Sequence, residues 1–129
     1  MGIREEVKVL IVDDEPSILL SLEFLMKKEG YKVFIARDGK EAFDIIKDCK
    51  PNIILLDIMM PNVDGYQVCK FVKSTPEYAQ MKVVFMSAKN KESDIEQGYD
   101  LGANLYIPKP FSTRDLVKKV NMLTAGLIV

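Results

Sequence analysis

Two adjacent aspartates, Asp13 and Asp14, and a third, Asp57, are the residues of this chain best suited to chemistry. Ser87 and Lys109 join them by position. Asp13 and Asp14 follow the apolar run Val7–Val12, and Asp57 follows Ile53-Ile54-Leu55-Leu56. Ser87 follows Lys82–Met86, and Lys109 comes just after Leu105–Ile107. If these runs are parallel strands, all five residues stand at strand carboxyl ends, where open α/β sheets bind ligands. Carboxylates gathered there repel. One pair about 4 Å apart costs roughly 4 kcal/mol at an effective dielectric of about 20. A hard divalent cation relieves that repulsion, and an oxygen-only ligand set suits Mg²⁺, which keeps waters and open positions.

Each residue also has a plainer reading when taken singly. Asp13-Asp14 can cap a helix, Asp57 can cap a turn, Ser87 can be a turn residue, and Lys109 between Pro108 and Pro110 can be a solvated lysine. Only the combination points to a site. There is no histidine in the chain, which excludes imidazole acid–base catalysis, histidine metal ligands and a histidine phosphodonor from within it.

The elements that must position these groups follow from periodicity. Val7–Val12 is β-branched and reads as strand 1. Pro16 suits the first turn of a helix. That helix carries Ile18, Leu22 and Leu25, flanked by Leu19 and Met26, and closes at Gly30. Lys32–Ala36 is strand 2. Asp38 caps a helix from Gly39 to about Asp48 with Ala42, Phe43, Ile45 and Ile46 inward. Strand 3 runs from Asn52 to Leu56; its four aliphatics in a row indicate burial on both faces. Asp64 caps helix 3, with Val68, Phe71 and Val72 expected in the core and Pro76 beyond its end. Strand 4 is Lys82–Met86. Helix 4, from Glu92 to Leu101, has a weak pattern resting on Ile95 and Tyr99. Strand 5 is Leu105–Ile107, and helix 5 starts near Ser112 or Thr113 with Leu116, Val117, Val120 and Leu123 inward. Five strands alternating with five helices predict an α/β fold with a parallel sheet covered on both faces. Alternation alone leaves strand order open; in the order 2-1-3-4-5, Asp13, Asp14 and Asp57 share one rim.

The bulk figures are compatible. At 129 residues, one domain with a real core is expected. Eighteen basic and nineteen acidic residues give a net charge of −1, which argues against a broad nucleic-acid-binding face. The apolar runs are too short to span a bilayer and no signal-peptide pattern opens the chain. Cys49 and Cys69 form no CxxC and read as reduced packing residues of a cytoplasmic protein.

The motifs Val12-Asp13-Asp14, Leu56-Asp57-Ile58-Met59-Met60-Pro61 with Asp64-Gly65, Met86-Ser87-Ala88, and Tyr106-Ile107-Pro108-Lys109-Pro110-Phe111 occur in that order. With them the chain, from about Lys8 to Leu123, resembles the receiver domain of two-component response regulators. The resemblance implies a flavodoxin-like (βα)5 doubly wound sheet of order 2-1-3-4-5, as one domain over residues 7–124 with flexible termini at 1–6 and 125–129. It implies that Asp57 is the phosphoacceptor for a sensor histidine kinase or histidine phosphotransfer protein. Asp13, Asp14, Asp57 and the backbone carbonyl of Met59 would hold Mg²⁺. Ser87 and Lys109 would contact the phosphoryl oxygens, and Ser87 with Tyr106 would form the switch. The Lys109-Pro110 bond would be cis. Such a domain is a signalling switch rather than a turnover enzyme. Helix 4, strand 5 and helix 5 would address an output domain or target protein, and phosphorylation would allow a homodimer. No nucleic-acid or membrane contact is expected. The kinase would grip helix 1 through Ile18, Leu19 and Leu22, together with Pro110-Phe111. The apolar end Thr124–Val129 reads as a docking tail or as the cut edge of a longer protein.

Other classes fit less well. An aspartate-nucleophile phosphatase generally has a second aspartate two positions on, where this chain has Met59. A dinucleotide-binding sheet needs a Gly-rich turn after strand 1; Asp13-Asp14-Glu15 stands there and would repel a pyrophosphate. An interaction domain that is never phosphorylated would have no need of the full set of acceptor, acid pair, hydroxyl and lysine.

Overall fold

A computed structural model describes residues 7–126; residues 1–6 and 127–129 lie outside the described residues, and with them the terminus expected at 1–6 and most of the one expected at 125–129. Of the latter, Ala125 and Gly126 are described and hydrogen-bond back to α5 residues. Five strands alternate with five helices. In chain order they are β1 (Lys8–Val12), α1 (Pro16–Lys28), β2 (Lys32–Ala36), α2 (Gly39–Cys49) and β3 (Ile53–Asp57). They continue with α3 (Gly65–Ser74), β4 (Lys82–Ser87), α4 (Glu92–Asp100), β5 (Leu105–Pro108) and α5 (Thr113–Thr124). All pairings are parallel and the order is β2-β1-β3-β4-β5. That is the flavodoxin-like doubly wound topology, with its switch point between β1 and β3.

The run of aliphatics in β3 is explained by two cores. Ile54 and Leu56 join Leu10, Val12, Val83 and Phe85 on the face covered by α2, α3 and α4. Ile53 and Leu55 join Val9, Ile11, Val84 and Met86 on the face covered by α1 and α5. Successive strand side chains alternate faces, so a strand covered on both sides must be apolar throughout.

Helix starts follow the expected caps. Asp38 accepts the Glu41 N–H at 2.9 Å, and Ser112 accepts that of Asp115 at 3.2 Å. Asp64 and Gln67 form a reciprocal capping box. The helix faces largely match, with local differences. In α3 it is Cys69 that is fully buried, while Phe71 is only half-buried, its ring edge-on to Phe43 at 4.9 Å. In α1 the buried stripe is Leu19, Leu22 and Met26; Leu20 and Phe24 are exposed at 70% and 66%. Leu19 and Leu22 therefore pack on the sheet and cannot serve the partner contact assigned to them from sequence.

The far end of the sheet is pinned by Lys73. Its Nζ donates to the carbonyls of Met81 (2.6 Å) and Ala79 (3.2 Å) and to Asn104 Oδ1 (3.3 Å), which also accepts the Val83 N–H. Lys73→Met is expected to cost about 1–2 kcal/mol, since buried acceptors lose a charged donor. The check is a lower urea midpoint at unchanged slope.

Candidate functional site

Strands β3, β4 and β5 each run one residue further than their apolar runs indicate. Asp57 pairs with Met86, and Ser87 pairs with Pro108, so this carboxylate and this hydroxyl are both held within the sheet ladder. Asp13 follows β1 directly, and its N–H is fixed by the Ala36 carbonyl at 3.2 Å. The Lys109 N–H donates to the Ser87 carbonyl at 2.7 Å, which ties the β5–α5 loop to the end of β4. The Lys109-Pro110 peptide is cis.

These supports gather the five residues on one rim. Carboxylate oxygens of Asp13, Asp14 and Asp57 all lie within 4.8 Å of one another. Lys109 Nζ reaches Asp13 Oδ2 at 3.0 Å, Asp57 Oδ1 at 3.7 Å and Glu15 Oε1 at 4.0 Å. Asp13 Oδ1 accepts the Glu15 N–H at 2.9 Å. Asp13 and Ser87 are fully buried, Asp57 is 4% exposed, and Asp14 is open to solvent. Met59 places its side chain outside, while its backbone N–H favours the ionised form of the Asp57 carboxyl.

One lysine does not balance three carboxylates. Burial raises the Asp57 carboxyl to about 6; Asp13 and Asp14 push the same way, and Lys109 and the Met59 N–H oppose them. For Lys109, burial favours the neutral amine. The hydrogen bond to Asp13 and the charges of Asp57, Asp13 and Glu15 outweigh it and hold the amine above its ordinary value. An excess of negative charge on buried oxygen donors is the condition a hard divalent cation relieves, and the exposed Asp14 leaves the site open to water. The donor set therefore fits Mg²⁺.

Ser87 links this rim to β5. Its Oγ accepts the Lys89 N–H at 3.1 Å, and the Lys89 carbonyl accepts the Tyr106 hydroxyl at 2.5 Å. The Tyr106 ring is buried against Phe85, and burial foremost pushes its hydroxyl up to about 12. Sequence reasoning missed two residues packed here, Tyr66 and Gly98. A glycine inside the weak α4 pattern was the available signal, since such a glycine marks close approach of a neighbour.

Fold and rim together define a doubly wound α/β module with an acidic pocket at the switch point. The family model of the response regulator receiver domain matches residues 9–121, and the chain belongs to that family. Solved structures agree. The receiver domain of the Francisella response regulator 1452 is 30% identical with a TM-score of 0.87, over 95% of this chain and 99% of that one. The chemotaxis protein CheY4 of Vibrio cholerae is 28% identical with a TM-score of 0.84, over 89% and 96% of the two chains. The signal receiver domain of a signal transduction histidine kinase from Syntrophus aciditrophicus is also 28% identical. Its TM-score is 0.86, over 93% and 91% of the two chains. Among the described residues, no helix is long and apolar enough to cross a membrane.

Proposed function

We propose that this receiver domain accepts a phosphoryl group on Asp57 from the phosphohistidine of a sensor histidine kinase or histidine phosphotransfer protein. Asp13, Asp14, Asp57 and the Met59 carbonyl would hold Mg²⁺, which when bound supplies positive charge to the phosphoryl oxygens. The observation that carries the reading is the position of Lys109, a cation within 3.7 Å of the acceptor carboxylate and tied by its backbone to Ser87.

In the transfer, an Asp57 carboxylate oxygen forms the new P–O bond as the donor's P–N bond breaks, and the imidazole leaves with its electron pair. Phosphoryl transfer needs positioning and charge neutralisation more than covalent chemistry from the protein. Asp57 is positioned by its strand pairing. Lys109 exchanges part of its contact with Asp13 for a phosphoryl oxygen. Ser87 turns its hydroxyl to another and gives up the Lys89 N–H, which moves the carbonyl that Tyr106 holds. The acyl phosphate brings about two negative charges and strong acceptor oxygens, enough to bias such a linkage. The altered face is α4, β5 and α5, where an output domain, a target protein or a second copy would dock. The module spans residues 7–124, works in the cytoplasm, and assists its own phosphorylation and dephosphorylation without multiple turnover.

Mg²⁺ with a small acyl or amido phosphodonor is expected to add one acid-labile phosphate per chain, read by intact mass. Asp57→Asn is expected to take none. Stoichiometric labelling of that variant would refute the site. Sustained hydrolysis of phosphomonoesters would return the phosphatase reading.

A further inference from the structure

Helix α4 has little of its own to hold it. It is nine residues long, its N-cap Lys91 makes no side-chain cap, and it contains a glycine. Helices this short are marginal unless packing supports them. Yet its one fully buried position is Gly98, Ile95 is only partly buried, and Tyr99 is 45% exposed. What α4 lacks in apolar contact is supplied by tyrosine hydroxyls. Tyr66, on α3, donates to the Asp94 carbonyl at 3.1 Å, in the first turn of α4. Tyr99, in the last turn, accepts the outward N–H of Tyr106 at 3.2 Å. That N–H lies on β5, an edge strand, so Tyr99 also covers a sheet edge that would otherwise be open to pairing. Between the two, the bare backbone of Gly98 is the seat for two rings. A Cβ there would stand 3.0 Å from Tyr106 Cδ2 and 3.1 Å from Phe85 Cδ2.

We propose that Tyr66 and Tyr99 are clasps at the two ends of α4, making it a latch that opens locally while the rest of the domain stays folded. Each is a positioning residue, since neither touches the acidic rim. The Tyr66 ring stands edge-on to Phe85 at 5.5 Å, and phenylalanine would preserve that packing while deleting only the hydroxyl. Opening α4 uncovers the Tyr106 N–H and frees the β4–α4 loop at Lys89, so the latch sets how readily the α4–β5 face changes shape. The proposal concerns the folded chain and needs no phosphoryl group.

The test is amide hydrogen exchange on the full chain, wild type against Tyr66→Phe and Tyr99→Phe, resolved by segment. Loss of one hydrogen bond is expected to speed exchange in Glu92–Asp100 about three- to ten-fold, with β1 and β3 unchanged. Unaltered exchange in that segment in both variants would overturn the proposal. So would equal acceleration everywhere, which would mark ordinary loss of global stability. Because no phosphodonor is used, failure here leaves the phosphoryl reading standing, and failed labelling of Asp57 leaves the latch standing.

Discussion

Gly65→Ala is expected to destabilise the domain by about 3 kcal/mol or more and to slow labelling of Asp57 at the same time. Gly65 opens α3, and its N–H donates to the Ile58 carbonyl at 2.9 Å. A Cβ on it would lie 2.3 Å from the Asp57 carbonyl oxygen and 2.8 Å from Ile58 Cα. Both are backbone atoms at the end of the central strand, so no rotamer change can make room. Either α3 lifts off, exposing Val68, Cys69 and Val72, or the β3–α3 loop moves and takes Asp57 with it. Overpacking usually costs about 1–3 kcal/mol, and contacts against backbone lie at or above the top of that range. For a domain whose whole stability is about 5–15 kcal/mol, the urea midpoint should fall visibly. A midpoint within error of wild type would mean that the helix start relaxes freely.

Asp57→Asn is expected to make the metal-free protein more stable at pH 8 and no more stable at pH 4. Burial pushes the folded carboxyl up to about 6, against roughly 3.9 in an unfolded chain. Between those values the folded state binds more protons than the unfolded state, so stability falls as pH rises through the window. Above it the full cost of a buried carboxylate beside Asp13 and Asp14 is present, with the attraction of Lys109 already counted. Two pKa units correspond to roughly 3 kcal/mol. Solvent access at the rim reduces this, and about 1–2 kcal/mol is expected. Mg²⁺ should reverse the ranking. A cation that binds only the folded state stabilises by RT ln(1 + [L]/Kd), about 2.7 kcal/mol at a hundred times Kd. If Asp57 is one of its ligands, as proposed, the variant should gain much less. Urea titrations at both pH values, with and without Mg²⁺, give all the comparisons. A variant less stable than wild type at pH 8 without metal would show that Asp57 is not under electrostatic strain.

The sequence by itself determined the elements, their order along the chain and the polar residues that stand at strand ends. A sheet covered on both sides forces apolar runs such as Ile53–Leu56, and polar groups can stand only at the ends of such runs. Caps were legible for the same kind of reason: Asp38, Asp64 and Ser112 satisfy nearby N–H groups through local geometry. Helix faces were partly legible, because a 3.6-residue period names a stripe but not its centre. Hence the full burial of Cys69 went unnamed beside Phe71, which is half-buried against the core, while the α1 stripe of Leu19, Leu22 and Met26 was named and only its added use as a partner contact fails. Strand order is a long-range property that alternation cannot encode. Only the tertiary structure brought the Lys109 amine 3.0 Å from Asp13, across 96 positions of chain. Only it revealed that Tyr66 and Tyr99 hold α4 through hydroxyls, since a hydrogen bond between distant elements leaves no period behind.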